Sequence, residues 1–308
     1  METNYNHLKQ QTARLSVISN TLLVLLKLVV GLFTGAVSIV SEAAHSAVDL
    51  IAALVAYIAV RKASKPPDSQ HAYGHGKIEN LSAAFEAVLI VLAALWIVYE
   101  SIDKINNPHT PEYLEYGLIV MAVSIAVNYW VSGKLYYVAR LTGSHALEAD
   151  ALHLKADIWT SAGVFVGLAI IKLTGLYWLD PIIAIAVAVI VFKAGFSMTM
   201  KSIYELTDVT LPEAEEEEIR AIVHQHPEVI AFHRLRTRRS GSFRLIDMHI
   251  VLKKDMFLEQ AHDVCDEIEI NIKSQFAPCD VIIHLEPCDY NNGFGFCPAE
   301  CGENCKHE

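Results

Sequence analysis

The stretch Val37-Ser38-Ile39-Val40-Ser41-Glu42-Ala43-Ala44-His45-Ser46-Ala47-Val48-Asp49-Leu50-Ile51-Ala52-Ala53-Leu54 decides the fold. It opens an apolar run, residues 37–60, close to the ~20 residues a helix needs to cross a bilayer. Yet it carries His45 and Asp49 inside it. An ionisable group in hydrocarbon costs about 2.5–3.5 kcal/mol on insertion scales, so such residues point into the protein and serve a purpose. Four residues make just over one helical turn, which projects both side chains from one face. The same spacing returns at His153 and Asp157 within a second apolar run, residues 147–173. Two imidazoles and two carboxylates suit a tetrahedral divalent ion such as Zn2+. One such couple alone would serve equally well as a hydrogen-bonded brace between helices; its repetition in a separate run favours metal.

Outward from these runs lie four more of similar length, at 15–33, 81–99, 114–137 and 179–203. Six membrane helices are expected. The fifth run starts with Glu148, Asp150, His153, Lys155 and Asp157, so hydropathy alone would also support five. An even number returns the chain to its starting side. Lysine and arginine set the orientation. Lys9 and Arg14 precede the first run, and Arg61, Lys62, Lys65 and Lys77 separate the second from the third. Lys134 and Arg140 close the fourth and Lys201 the sixth, whereas the other connections are poor in cations. Both termini are therefore expected in the cytoplasm, in a multi-pass protein of the cell membrane. Residues 1–11 show no cleavable-signal pattern.

The 308 residues are 53% hydrophobic and 19% charged, with a net charge of -11. That charge is uneven: residues 1–208 carry -2 and residues 209–308 carry -9. The split excludes a simple soluble enzyme, a collagen, a disordered chain and a nucleic-acid binder that relies on positive charge. The expected organisation is an N-terminal cytoplasmic segment (1–14), a six-helix membrane domain (15–208), a cytoplasmic domain (209–290) and a Cys-rich tail (291–308).

In the acidic third, Leu211-Pro212 and the acids of residues 213–218 predict a helix start. Strands are predicted at 232–237 and 243–252 around Arg239-Ser240-Gly241-Ser242, a helix over 258–276, and a strand over 281–285. The order α-β-β-α-β reads as a small α+β, ferredoxin-like layer. Asp68, His71 and His75, spaced by 3 and 4 in a connection, suit a cytoplasmic metal site, although solvated loop histidines fit as well. All six cysteines follow residue 260 and are expected as reduced thiols. Cys297, Cys301, Cys305 and His307 form a C-x3-C-x3-C-x-H run, unlike the C-x2-C of zinc knuckles. It reads as a metal-collecting or sensing tail, or else as an extension with redox-labile thiols.

Several motifs carry a resemblance: Ser41-Glu42-Ala43-Ala44-His45-Ser46-Ala47-Val48-Asp49, Tyr73-Gly74-His75-Gly76-Lys77-Ile78-Glu79, Glu148-Ala149-Asp150-Ala151-Leu152-His153-Leu154-Lys155-Ala156-Asp157, and His233-Arg234-Leu235-Arg236-Thr237-Arg238. Over residues 12–290 the chain resembles the cation diffusion facilitators, proton-coupled efflux transporters of divalent metals. The resemblance implies a homodimer with a transport site of His45, Asp49, His153 and Asp157 in each protomer, and a secondary site at Asp68, His71 and His75. It places dimer-interface metals on His233, His249, His262 and His284 with a nearby carboxylate. Relatives often have Asp where this chain has Glu286. Lys77 and Asp208 resemble the family's membrane-proximal charge interlock; a plain surface ion pair would be worth at most about 1 kcal/mol.

The expected function is export of Zn2+ from the cytoplasm by proton antiport, with Zn2+ also a regulatory ligand and Cd2+, Co2+, Ni2+ or Fe2+ possible as cargo. The expected partners are a second copy, the lipid bilayer, divalent metals and protons, with no nucleic acid. The chain holds no G-x-x-x-x-G-K-[ST] loop, consistent with transport that uses no ATP. A membrane-embedded metallohydrolase is the first rival, disfavoured because H-E-x-x-H is absent. A metal sensor that does not transport is the second.

Overall fold

The computed structural model describes residues 2–34, 37–106, 114–174 and 179–288. The chain divides into two units, Met1–Leu206 and Thr207–Glu308.

The first unit is helical: α1 (Glu2–Thr34), α2 (Val37–Ala63), α3 (Lys77–Asn106), α4 (Leu114–Thr142), α5 (His145–Thr174) and α6 (Leu179–Leu206). The shortest has 27 residues, about 40 Å at 1.5 Å per residue, against a hydrocarbon core about 30 Å thick. Among the described residues, four stretches are long and apolar enough to cross a membrane: Tyr5–Phe33, Lys77–Asp103, Ile119–Thr142 and Pro181–Leu206. The helices that carry the His–Asp pairs, α2 and α5, are not among them; α5 holds Glu148, Asp150, Lys155 and Asp157 in its first half.

The faces are inverted relative to a water-soluble bundle. α1 exposes Leu22, Leu25 and Leu32 and buries Lys9, Thr12, Ser16, Asn20 and Lys27. In hydrocarbon, apolar side chains gain nothing by leaving the surface, so packing and internal hydrogen bonds select what goes inside. α1 packs on α2 and α4, α4 on α5, and α3 on both α5 and α6. Val131, Leu135 and Val138 of α4 meet Ala146, Leu147 and Leu154 of α5 in one apolar cluster. Small residues permit the closest approaches. A Cβ on Gly163 would lie 2.8 Å from Val187 Cγ2, and one on Gly195 2.8 Å from Ile90 Cγ2.

Buried charge ties the helix ends together. Lys9 Nζ donates to Glu79 Oε1 at 2.9 Å and Ser144 Oγ to Glu79 Oε2 at 2.6 Å. Asn80 Nδ2 donates to Glu205 Oε2 at 3.0 Å, and His145 Nε2 lies 3.2 Å from Glu205 Oε1. The sequence reading set residues 1–14 ahead of the first span, whereas α1 already starts at Glu2. Lys9 can be buried there because Glu79 supplies its counter-charge. The charged half of α5 stays in one unbroken helix because Glu148 takes Lys201 at 2.7 Å and His153 takes Asp49.

The second unit runs α7 (Glu213–His224), β1 (Ala231–Ser240), β2 (Phe243–Leu252), α8 (Leu258–Phe276) and β3 (Cys279–Pro287). This is the expected α-β-β-α-β order, with β1 extending beyond the predicted strand at both ends. The sheet order is β1-β2-β3. β1 pairs antiparallel with β2 through a tight turn where Gly241 takes φ 61, a conformation glycine adopts without strain. β2 pairs parallel with β3, so α8 serves as the crossover. Ile219, Ile222 and Val223 of α7, Ile246, Met248 and Ile250 of β2, and Ile268, Ile272 and Phe276 of α8 form the core. The two-residue period of β2 turns Asp247 and His249 to the other face.

Candidate metal centres

In the first unit, α2 supplies His45 and Asp49 and α5 supplies His153 and Asp157. One ligand atom each from His45, Asp49 and Asp157 lie within 4.8 Å of one another. His153 Nε2 stands 3.1 Å from Asp49 Oδ1, and both side chains are buried. Three of the four expected donors thus surround one point, and the fourth is hydrogen-bonded to one of them. A histidine that holds a ligating carboxylate fixes its orientation. The set of nitrogen and carboxylate oxygen donors suits a borderline divalent ion.

The loop triad is also assembled. Asp68 Oδ1 accepts from the backbone N–H of Gln70 at 2.9 Å and of His71 at 2.8 Å, an Asx turn. Asp68 Oδ2 lies 3.4 Å from His75 Nε2, and the His71 and His75 rings are 4.4 Å apart. The two backbone donors, His71 before Gln70, hold the Asp68 carboxyl below the usual aspartate range. Gly74, at φ 79, turns the chain so that His75 comes back towards Asp68.

The third group is built by strand register. His233 of β1 is paired with His249 of β2, and His249 with His284 of β3, so three histidines form a row across the sheet. Glu286 follows two residues after His284 on the same face. His249 Nδ1 donates to Glu286 Oε1 at 2.7 Å, His233 Nε2 lies 3.4 Å from Glu286 Oε2, and His284 Nε2 lies 3.9 Å from Oε1. The hydrogen bond from His249 holds the Glu286 carboxyl below its ordinary value. Both of its oxygens are engaged, so the glutamate reaches the same histidines that a shorter aspartate would face. His262 is not brought into this group: it sits on α8 with its side chain 69% exposed, 3.3 Å from Asp266.

Lys77 Nζ donates to the Leu206 carbonyl at 3.4 Å, and Asp208, at φ 62, accepts from Arg238 at 3.3 Å. Cys297, Cys301, Cys305 and His307 lie outside the described residues. Sequence reading set Glu86 among the polar groups within spans, with a snorkelling, packing or interfacial role, and did not single out the buried Glu79 and Asp150 as interior groups. Their spacing was the available signal: Glu79, Ser82 and Glu86 recur at helical intervals on α3, as do Asp150, His153 and Asp157 on α5.

Residues 13–207 match the cation efflux transmembrane domain and residues 211–288 the cytoplasmic domain of cation efflux proteins. An uncharacterized transporter of Synechocystis sp. is 35% identical over 265 residues, 86% of each chain. The cation-efflux pump FieF of Cronobacter sakazakii is 32% identical over 288 residues, 94% of this chain and 96% of that one. The metal-bound C-terminal domain of the CzcD transporter from Thermotoga maritima is 28% identical, with a TM-score of 0.24, over 25% of this chain and 94% of that one.

Proposed function

Because the chain belongs to the cation efflux, or cation diffusion facilitator, family of transporters, we propose that it exports divalent metal, zinc first, from the cytoplasm in exchange for protons. It is a cation-efflux transporter and not an enzyme, which removes the metallohydrolase reading. The observation that carries the proposal is the convergence of His45, Asp49 and Asp157, with His153 bonded to Asp49.

These groups bind metal only when deprotonated, so metal and protons compete for the same lone pairs. An acidic outer face then favours release and a neutral cytoplasm favours loading. The proton gradient drives the cargo uphill through a cycle in which the site opens to one side at a time. An imidazole in the pair of the second span, where two carboxylates would suit a harder ion, favours Zn2+ over Mg2+ or Mn2+, with Cd2+, Co2+, Ni2+ and Fe2+ as lesser cargo. The cation-rich connections support a multi-pass protein of the cell membrane with both termini in the cytoplasm.

The functional form is a homodimer, supported by the cytoplasmic-domain match. Within it, His233, His249, His284 and Glu286 hold a regulatory ion, and a second copy brings further donors such as His262. Asp68, His71 and His75 collect metal ahead of the transport site. The thiol tail of Cys297, Cys301, Cys305 and His307 captures soft ions.

The test is zinc flux into dye-loaded proteoliposomes under an imposed pH gradient. Flux that follows the gradient and vanishes in Asp49→Ala is expected. No gradient-driven flux in the wild type, together with an unaffected Asp49→Ala, would end the reading and leave the sensor.

A further inference from the structure

The seam between α4 and α5 carries exposed charge where hydrocarbon calls for none. α4 holds the stretch Ile119–Thr142, long and apolar enough to cross a membrane. Tyr136 lies six residues before its end, about 9 Å at 1.5 Å per residue, near the level where hydrocarbon gives way to headgroups. One turn further on the same face stands the exposed Arg140. Its Nε and Nη2 donate to the Tyr136 hydroxyl at 3.1 and 2.7 Å, and its Cζ lies 5.2 Å from the ring centroid. From α5, the exposed Lys155 brings its Nζ to 5.6 Å from the same centroid. One half-buried tyrosine gathers two cations from two helices.

The acids at that end of α5 are committed elsewhere: Glu148 is held by Lys201 at 2.7 Å, and Asp150 is sealed inside the bundle. Among the described residues, neither Arg140 nor Lys155 forms an ion pair with a carboxylate. The Tyr136 oxygen accepts twice from Arg140, which uses both its lone pairs and leaves its own hydrogen to donate. Three donors, two of them charged, therefore converge without an anionic acceptor. Lys155 is turned about 200° around α5 from His153 and from Asp157, so it stands apart from the transport site. α5 starts on the side where α4 ends, and a helical side chain leans toward its own N-terminus. That lean carries the Lys155 ammonium toward the headgroups.

We propose that Arg140, Tyr136 and Lys155 form a binding site for the phosphate of an anionic phospholipid, in the leaflet where α4 passes into α5. Arginine grips a phosphate through paired N–H groups, and the ammonium and phenol supply further contacts. Basic pockets between membrane helices take lipid headgroups in this way. The choline of a zwitterionic headgroup repels both cations, so the site selects phosphatidylglycerol over phosphatidylcholine. In the orientation proposed above, that leaflet is the cytoplasmic one.

The test titrates the full-length protein in neutral detergent with each of these two lipids and counts bound lipid by native mass spectrometry. Phosphatidylglycerol is expected to bind about tenfold more tightly than phosphatidylcholine. Arg140→Gln and Lys155→Gln should each weaken its binding about fivefold, and the double variant should abolish the preference. Arg140→Lys should keep most of it. Lys134→Gln removes the same unit charge from the opposite side of α4, where Lys134 Nζ lies 5.6 Å from the Trp130 centroid, and should change nothing. Arg140, Lys155 and Lys134 are exposed, so these variants keep the core intact. Equal wild-type affinity for the two lipids overturns the proposal, as does a preference that survives in the double variant. An equal loss in Lys134→Gln overturns it in favour of general surface charge. Displacement of the lipid by millimolar inorganic phosphate overturns it in favour of a free anion. No step depends on zinc flux, so failure of the transport reading would leave this result standing.

Discussion

Glu79 is sealed from solvent between Lys9 and Ser144, and it illustrates what a single charge demands in this setting. Removing one member of a buried pair leaves the other uncompensated, at a cost of about 3–5 kcal/mol. Lys9→Met is therefore expected to lower thermal stability in detergent markedly, and Lys9→Met/Glu79→Gln to recover most of it. Thermal unfolding of the two variants side by side checks this. Glu286 gives a pH prediction. Its carboxyl titrates below the ordinary glutamate value in the native state, chiefly because His249 donates to it. The unfolded chain therefore binds the proton first as acid is added. The stability from this group is full above the ordinary value, about 4.3, and is lost as pH falls through the native one. His249→Ala should flatten that acid limb, as read by hydrogen exchange in β2 and β3 from about pH 6 to about pH 3. At this scale spacing alone pointed to the His–Asp pairs and the Asp68 triad, and His45, Asp49 and Asp157 lie together, as do Asp68, His71 and His75. Glu86 was read as no more than a snorkelling, packing or interfacial group, because its burial depends on α3 facing α5 and not on any neighbour in the chain.

Among the elements, close packing of α3 on α6 depends on Gly195, where any Cβ presses on Ile90 and on Val91 at 3.1 Å. Gly195→Ala should cost about 1–3 kcal/mol through displacement of Ile90. Gly195→Leu should separate the helices and reduce transport with it; thermal stability and zinc flux on the same preparation check both. Residues 258–276 were legible as α8 because apolar positions at helical spacing pack against the sheet. β1 was predicted too short because Arg239 and Ser240 were read as part of the turn, whereas they pair with Arg244 and Phe243 of β2. Within the strand the register shifts between His233 and Arg236, with Arg234 at φ 52. A bulge breaks the two-residue alternation from which a strand is recognised. It lies beside the pairing that sets His233 against His249. The charged start of α5 defeats a hydropathy count for the opposite reason: its polar groups are satisfied inside the bundle, and composition carries no record of partners.

For the molecule as a whole, the uneven charge led to an expected boundary at 208, and the chain divides into the units Met1–Leu206 and Thr207–Glu308. What composition could not supply is convergence: that α2 and α5 bring their pairs together, or that three strands align three histidines. The histidine row yields the prediction at this scale. His233→Ala/His249→Ala should leave gradient-driven zinc flux measurable and abolish its stimulation by low zinc on the cytoplasmic side, seen in flux against zinc concentration. The polar inner face of α1 bears also on how the protein is made. Lys27 is buried in that helix and donates to Ser46 of α2 at 2.7 Å. Alone in lipid, the first helix would carry an ammonium with no acceptor. Insertion of the first two helices together, as a hairpin, would give that ammonium its partner on entry and spare the bilayer the cost of an unpaired charge.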